Sequence, residues 1–187
     1  MIYTHLTDKD YNISLWSGGR TIQIAIAPDG AVYADRDFLW RISSATAEID
    51  ESDYTELPDY DRLIAVFDQP IRLQHDGGDI ITLQPYDVHR FDGASRTHSW
   101  GRCADFNLMM RKGRVDGAMT ALNPDGDEAI DIRDVDTVLI YCAEGCGIIN
   151  DIEFKAGEAV MTDEIDRENL LLHGTGRFML AGISVHR

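Results

Sequence analysis

The sequence predicts an all-β fold, with two small β-barrels side by side in one chain. Three observations carry this. Apolar and polar residues alternate at period two through most of the chain, and Gly-rich turns cut the alternation into short runs. The same order of strands and turns also occurs twice, once from Arg62 and once from Thr137. The only helical window is weak and short. Many short strands between turn signals argue a sandwich or barrel.

The elements follow in chain order. "TIQIAIA" puts Ile22, Ile24 and Ile26 on one face of a strand. Pro28-Asp29-Gly30 ends it, and "DFLWRISSATAEI" begins the next. The acidic "DESDYTELPDYD" reads as a solvated loop whose Tyr54, Leu57 and Tyr60 cover a barrel end or an oligomer contact. "RLIAVFD" and "DIITLQ" are strands, the latter following the turn Asp76-Gly77-Gly78. "CADFNLMMRKG" closes the first repeat. The segment "MRKGRVDGAMTALNPDGDEAIDIRD" is a loop or the lead-in to a strand. "TVLIYC", "EAVMT", "NLLLHG" and "RFMLAGISV" form the second repeat, with turns at Glu144-Gly145, Ala156-Gly157 and Gly174-Thr175-Gly176. Residues 1–115 therefore form the first unit and 116–187 a second, smaller one.

Composition bounds the function. The chain has 187 residues, 44% of them apolar, which suits a packed fold. A net charge of −16 disfavours nucleic acid and anionic membrane, which need a basic surface. No apolar run approaches the ~20 residues of a membrane helix, and no signal peptide is visible. Cys103, Cys142 and Cys146 have no disulfide-framework spacing, which suits a reducing cytoplasm.

One residue raises the functional question. Arg41 sits among Phe38, Trp40, Ile42 and Ala45, in a run that otherwise reads as core. A buried charge needs a partner. On a strand Arg41 shares a face with Ser43, and in "CADFNLMMR" Asp105, Asn107, Met109 and Arg111 share another. If both faces meet in a lumen, Arg41 pairs with Asp105, or keeps spare donors for a ligand carboxylate oriented by Asn107 and Ser43. Trp16, Trp40 or Phe91 would supply apolar walls. "WSGGR" adds Gly18 and Gly19, whose backbone N–H groups could approach an anion but which also suit a tight turn.

Other chemistries lack their signatures. The six histidines include no His-x-His pair, and His89 and His98, which could meet across a hairpin, have no third ligand, so no metal is expected. "NPDGDEAIDIRD" fails as a calcium loop because its glycine stands at the fourth position. There is no nucleophile elbow and no dinucleotide fingerprint.

Taken together, "LWSGGRTIQIAI", "FLWRISSATAEI", "YTELPDYDRLIAVFDQPIRL", "LQPYDVHRFDG" and "CADFNLMMRKG" resemble the HutD/Ves family, densely over residues 11–115. The resemblance implies a cupin-like (RmlC-like jelly-roll) bicupin in the cytoplasm of a bacterium, associated with histidine utilisation. It also implies binding of a small acidic intermediate such as N-formylglutamate or urocanate. The family often carries W-x-N-G-G-G, whereas Trp16 here precedes Ser17-Gly18-Gly19-Arg20. The leading expectation is a non-catalytic small-carboxylate binder without cofactor, possible as a homodimer. Its site residues are Arg41, Ser43, Asp105, Asn107, Arg111, Gly18, Gly19 and Trp16. The alternative is a cupin isomerase, hydrolase or oxygenase with Asp105 or His89 as base.

Overall fold

The computed structural model describes residues 2–163 and 169–186. Its strands, in chain order, are β1 (Tyr3–Leu6), β2 (Asn12–Trp16), β3 (Gly19–Ala27), β4 (Trp40–Ala47), β5 (Glu51–Asp53), β6 (Tyr60–Val66), β7 (Ile71–His75), β8 (Ile80–Leu83), β9 (His89–Asp92), β10 (Thr97–Trp100), β11 (Cys103–Arg111), β12 (Val115–Leu122), β13 (Asp125–Ile130), β14 (Thr137–Ile149), β15 (Ile152–Lys155), β16 (Ala159–Thr162) and β17 (Leu170–Val185). A single 3-10 turn at Tyr33–Asp35 is the only helical element among the described residues. The all-β expectation holds.

Two compact units result. One is Asn12–Arg114; the other joins Met1–Tyr11 to Val115–Arg187. The expected first unit thus differs at its start: β1 pairs antiparallel with β16, far along the chain. Hydrogen-bond partners across a sheet edge, which the local sequence does not name, decide that placement.

The N-terminal unit has two sheets. Six strands run in the order β2-β3-β4-β11-β6-β9, and four in the order β5-β10-β7-β8. Ile64 and Val66 of the first sheet share a core with Ile71, Leu73 and Leu83 of the second. Alternation explains this: β6 turns Arg62, Ile64 and Val66 to one side, so the packed face of the sheet includes a charged residue. The acidic loop is only partly as expected. Glu51–Asp53 forms the edge strand β5, and Leu57 and Tyr60 lie buried with Phe38 and Met109.

The C-terminal unit is one seven-stranded sheet, ordered β1-β16-β14-β17-β12, with β13 also on β17 and β15 on β14. One face gathers Leu122, Val138, Ile140, Phe154, Leu172 and Phe178 into a core. No closed barrel occurs among the described residues, so the expected pair of barrels is replaced by open sheets.

Two further expectations give way here. The segment read as a loop or lead-in forms β12 and β13. The glycine groups read as turns lie inside long strands: Gly145 within β14, and Gly174-Thr175-Gly176 within β17, which runs unbroken from Leu170 to Val185. At Gly145 (φ +87°) an added Cβ would stand 2.0 Å from the Thr175 carbonyl oxygen. At Gly176 (φ +131°) it would stand 2.1 Å from the Glu144 oxygen. Here glycine permits close strand approach beside a β-bulge at Cys142/Glu144 rather than chain reversal.

Candidate functional site

The register of three strands builds the site. β11 lies between β4 and β6, and three rows of the sheet present their side chains to one cavity. Arg41 and Arg62 both stand opposite Met109, one on each side; Ser43 and Ile64 flank Asn107. Asp105 follows two residues along β11, opposite Val66. Above this floor lie Ser52, Tyr54, Thr55 and Ser99 from the four-stranded sheet and its loops, with Ser14, Trp16 and Tyr33 at the side. The cavity holds about 340 Å³, at the small end of small-molecule sites (~300–1,000 Å³).

Its two cations are desolvated. Arg41 is 5% exposed and Arg62 6%. Arg41 Nε donates to Gln23 Oε1 at 2.8 Å and Nη1 to Ser43 Oγ at 3.2 Å, while its guanidinium lies 4.2 Å over the Tyr33 ring. Of its five donors, two are used among the described residues. Burial pulls the Arg41 pKa down to about 10, which leaves it charged at neutral pH. Arg62 donates to the Thr55 carbonyl at 3.3 Å and lies over Tyr54 and Phe91, and its buried Nε has no partner among the described residues. Burial lowers its pKa as well.

Asn107, 4% exposed, has a buried Oδ1 without a hydrogen bond among the described residues. Such an atom normally costs ~1–3 kcal/mol unless something meets it. Asp105 lies half-buried in the cavity wall, enclosed by protein on most sides. Desolvation pushes its carboxyl up to about 6, against the Ala45 N–H (3.0 Å to Oδ1) and the charges of Arg62 and Arg41. The site therefore combines two cations, one carboxyl of raised pKa and an unmet amide.

The structure brings Arg41, Ser43, Asp105, Asn107 and Trp16 to this cavity, and leaves three expected residues outside its lining. Arg111 clamps the chain ahead of β4: Nε donates to Phe38 O at 3.0 Å, and Nη2 to Arg36 O at 2.8 Å and Tyr60 Oη at 2.9 Å. Gly18 and Gly19 form the β2–β3 hairpin, where a Cβ on Gly19 would stand 1.9 Å from Thr46 O. Of the two outcomes left open for Arg41, the pair with Asp105 does not form, because the register sets Arg41 beside Met109. Trp40 points to the opposite face of β4 from Arg41.

Arg62, Tyr54, Tyr33 and Gln23 were missed. Arg62 had a signal: in "YDRLIAVF" it shares a strand face with Ile64 and Val66, the same anomaly that marked Arg41. Nothing local marks Tyr33 or Gln23, and Tyr54 reads from the sequence only as cover for a barrel end or an oligomer contact.

The histidines also pair differently. His98 meets Asp53 at 2.7 Å, which raises its pKa, while His89 Nε2 meets His75 Nε2 at 2.9 Å. The two rings stand 5.1 Å apart between centroids, so the nitrogens lie nearly on the line joining them. That is the geometry of one shared N–H···N proton. Among the described residues, no group of three or more His, Cys, Asp or Glu is placed to hold a metal.

A larger depression of about 570 Å³ lies in the C-terminal unit, beside Cys146, Glu153, Lys155 and His173. Glu153, Lys155 and His173 are solvated there, and the less exposed Glu158 already meets His5 at 3.1 Å, so no unpaired buried charge there calls for a ligand.

An all-β chain with a small cavity between two sheets, lined by two buried guanidiniums, defines the class: a protein of cupin-like fold. The particular family follows from comparison. The HutD family model matches residues 8–180, and the chain belongs to the HutD family. HutD from Pseudomonas fluorescens SBW25, solved in a formate condition, is similar over 100% of both chains, with 21% identity and TM-score 0.83. The pirin YhhW from Escherichia coli, in complex with nickel(II), is similar over 97% of this chain and 98% of its own (10% identity, TM-score 0.71). A point mutant of the oxalate decarboxylase OxdC from Bacillus subtilis matches 98% of this chain and 78% of its own (6% identity, TM-score 0.67). These likenesses show the fold. No curated protein matches the sequence.

Proposed function

We propose that this protein binds a small carboxylate metabolite, in the chemical range of N-formylglutamate or urocanate, without transforming it, and so modulates histidine or amino-acid catabolism. One observation carries the reading. Arg41 and Arg62, both desolvated and both with unused donors, flank the same strand position above an Asn107 amide with no partner among the described residues. Two buried guanidiniums repel each other, and an anion between them relieves that cost and fills the fork geometry of each. Membership of the HutD family supports the metabolic setting. The exposed free thiol of Cys146 supports a reducing, cytoplasmic location.

Thermal unfolding with N-formylglutamate, urocanate, glutamate and simple dicarboxylates tests the proposal. A bound acid raises Tm with concentration, because it stabilises the folded state by ~2.7 kcal/mol at a hundredfold excess over Kd. Arg41→Ala and Arg62→Ala each abolish the shift. The absence of any shift from every acid would overturn the reading. A second reading, an enzyme using Asp105 as general base, rests on its carboxyl near pH 6 in the cavity; conversion of any of these acids by purified protein would establish it.

A further inference from the structure

Asp105 is the anomaly in a site built for anions. A carboxylate enclosed by protein repels an incoming carboxylate, and in this cavity no cation pairs with it directly. It accepts one hydrogen bond, from Ala45 N, to Oδ1. Oδ2 receives no donor among the described residues. Asp105 forms no ion pair with Arg41, so the two cations act on it only through space.

The surrounding groups fix its balance. From β4 it faces Arg41, from β6 Arg62, and along β11 Cys103 and Asn107. From the opposite sheet and its loops come Tyr54, Ser99 and the outer Asp53, which His98 engages. Arg41 and Arg62 are the charges that favour the ionised form. Burial pushes the Tyr54 hydroxyl and the Cys103 thiol above their ordinary values, so both stay neutral near pH 7 and carry no compensating charge.

We infer that Asp105 couples the site to a proton: a carboxylate ligand enters together with one proton, which Asp105 takes from solvent. This rests on the anion-binding reading above. The physical reason is a redistribution of field. An anion seated on Arg41 and Arg62 neutralises the two charges that hold Asp105 ionised and places a new negative charge beside it. Both effects favour the protonated acid. Once protonated, Asp105 changes from an acceptor-only group into a hydroxyl donor, and its free oxygen can donate to the ligand. The residue that would repel the anion becomes a contact for it. It also becomes a filter, since a ligand that brings no negative charge leaves Asp105 ionised and gains no donor.

The consequence is measurable. Asp105 in the free protein titrates near 6. Above that value, and below its value in the complex, affinity falls about tenfold for each unit rise in pH; below it, affinity levels off. N-formylglutamate, whose own carboxyls stay ionised above pH 6, serves as the probe. Titration calorimetry at pH 7.5 in two buffers of different ionisation enthalpy should show net proton uptake, rising towards one per ligand as the value in the complex exceeds 7.5. Repeating it from pH 6 to 8.5 should show the slope. Asp105→Asn keeps the acceptor for Ala45 N and should bind with no proton uptake and no pH slope. Circular dichroism confirms that the variant folds, and the two-buffer measurement on the unaltered protein stands without it. Binding with no proton exchange and a flat pH profile overturns this inference while the site itself stands. A slope that survives in Asp105→Asn overturns the assignment to Asp105. No heat or saturation at any pH overturns the binding reading, and this inference with it.

Discussion

Arg41 and Asp105 show how a single side chain can be placed at a cost to the fold for the sake of a site. Each is withdrawn from bulk water without the ion pair that would offset its desolvation. The folded state prefers the protonated acid, so Asp105 supports stability below its unfolded pKa of 3.8, and that support is lost as pH rises through about 6. At neutral pH the ionised group costs up to ~3 kcal/mol. Asp105→Asn is therefore expected to raise Tm at pH 8 relative to the unaltered protein, with the advantage vanishing towards pH 4; melting curves across that range check it. A variant destabilised at pH 8 would show that the carboxylate is better compensated than its neighbours imply.

Strands act at the next scale. Arg111 holds the approach to β4 through carbonyls of Arg36 and Phe38, outside the cavity. Arg111→Ala should cost ~1–3 kcal/mol in denaturant melts, because it strips a charged donor from those carbonyls. Ligand affinity, measured on the folded fraction, should stay within about twofold, since tenfold needs ~1.4 kcal/mol at the site. In the C-terminal unit, β14 and β17 approach so closely at Gly145 and Gly176 that no side chain fits between them. Gly176→Ala is expected to lower Tm by several degrees, through both its positive φ and the clash with the Glu144 carbonyl. An unchanged Tm would mean that the strands can separate there without loss.

Charge acts over the whole molecule. A chain of net charge −16 repels the anion that the proposed site would attract. The attraction is short-ranged and buried; the repulsion is long-ranged and screened by salt. Stopped-flow association of N-formylglutamate should therefore quicken as ionic strength rises from ~10 mM to ~150 mM, where the Debye length falls from ~30 Å to ~8 Å. Slowing over that range would indicate a local positive funnel that outweighs the net charge.

The all-β class was legible because side-chain alternation at period two is a local property of the chain. Arg41 was legible for a related reason: a charge inside an apolar alternation is visible without knowing its neighbours. Arg62 could have been found by the same argument. Sheet order and register were not legible. Whether Gly174-Thr175-Gly176 turns or runs straight depends on which backbone faces it, and the facing Gly145-Cys146-Gly147 lies about 30 residues away in the chain. Likewise Arg41 lies beside Met109 rather than Asp105, and β1 joins β16, because pairing between distant strands sets those rows. Local sequence thus determined which residues face inward; only the tertiary structure decided which of them meet, since hydrogen-bond registry between strands is a property of pairs and not of either strand alone.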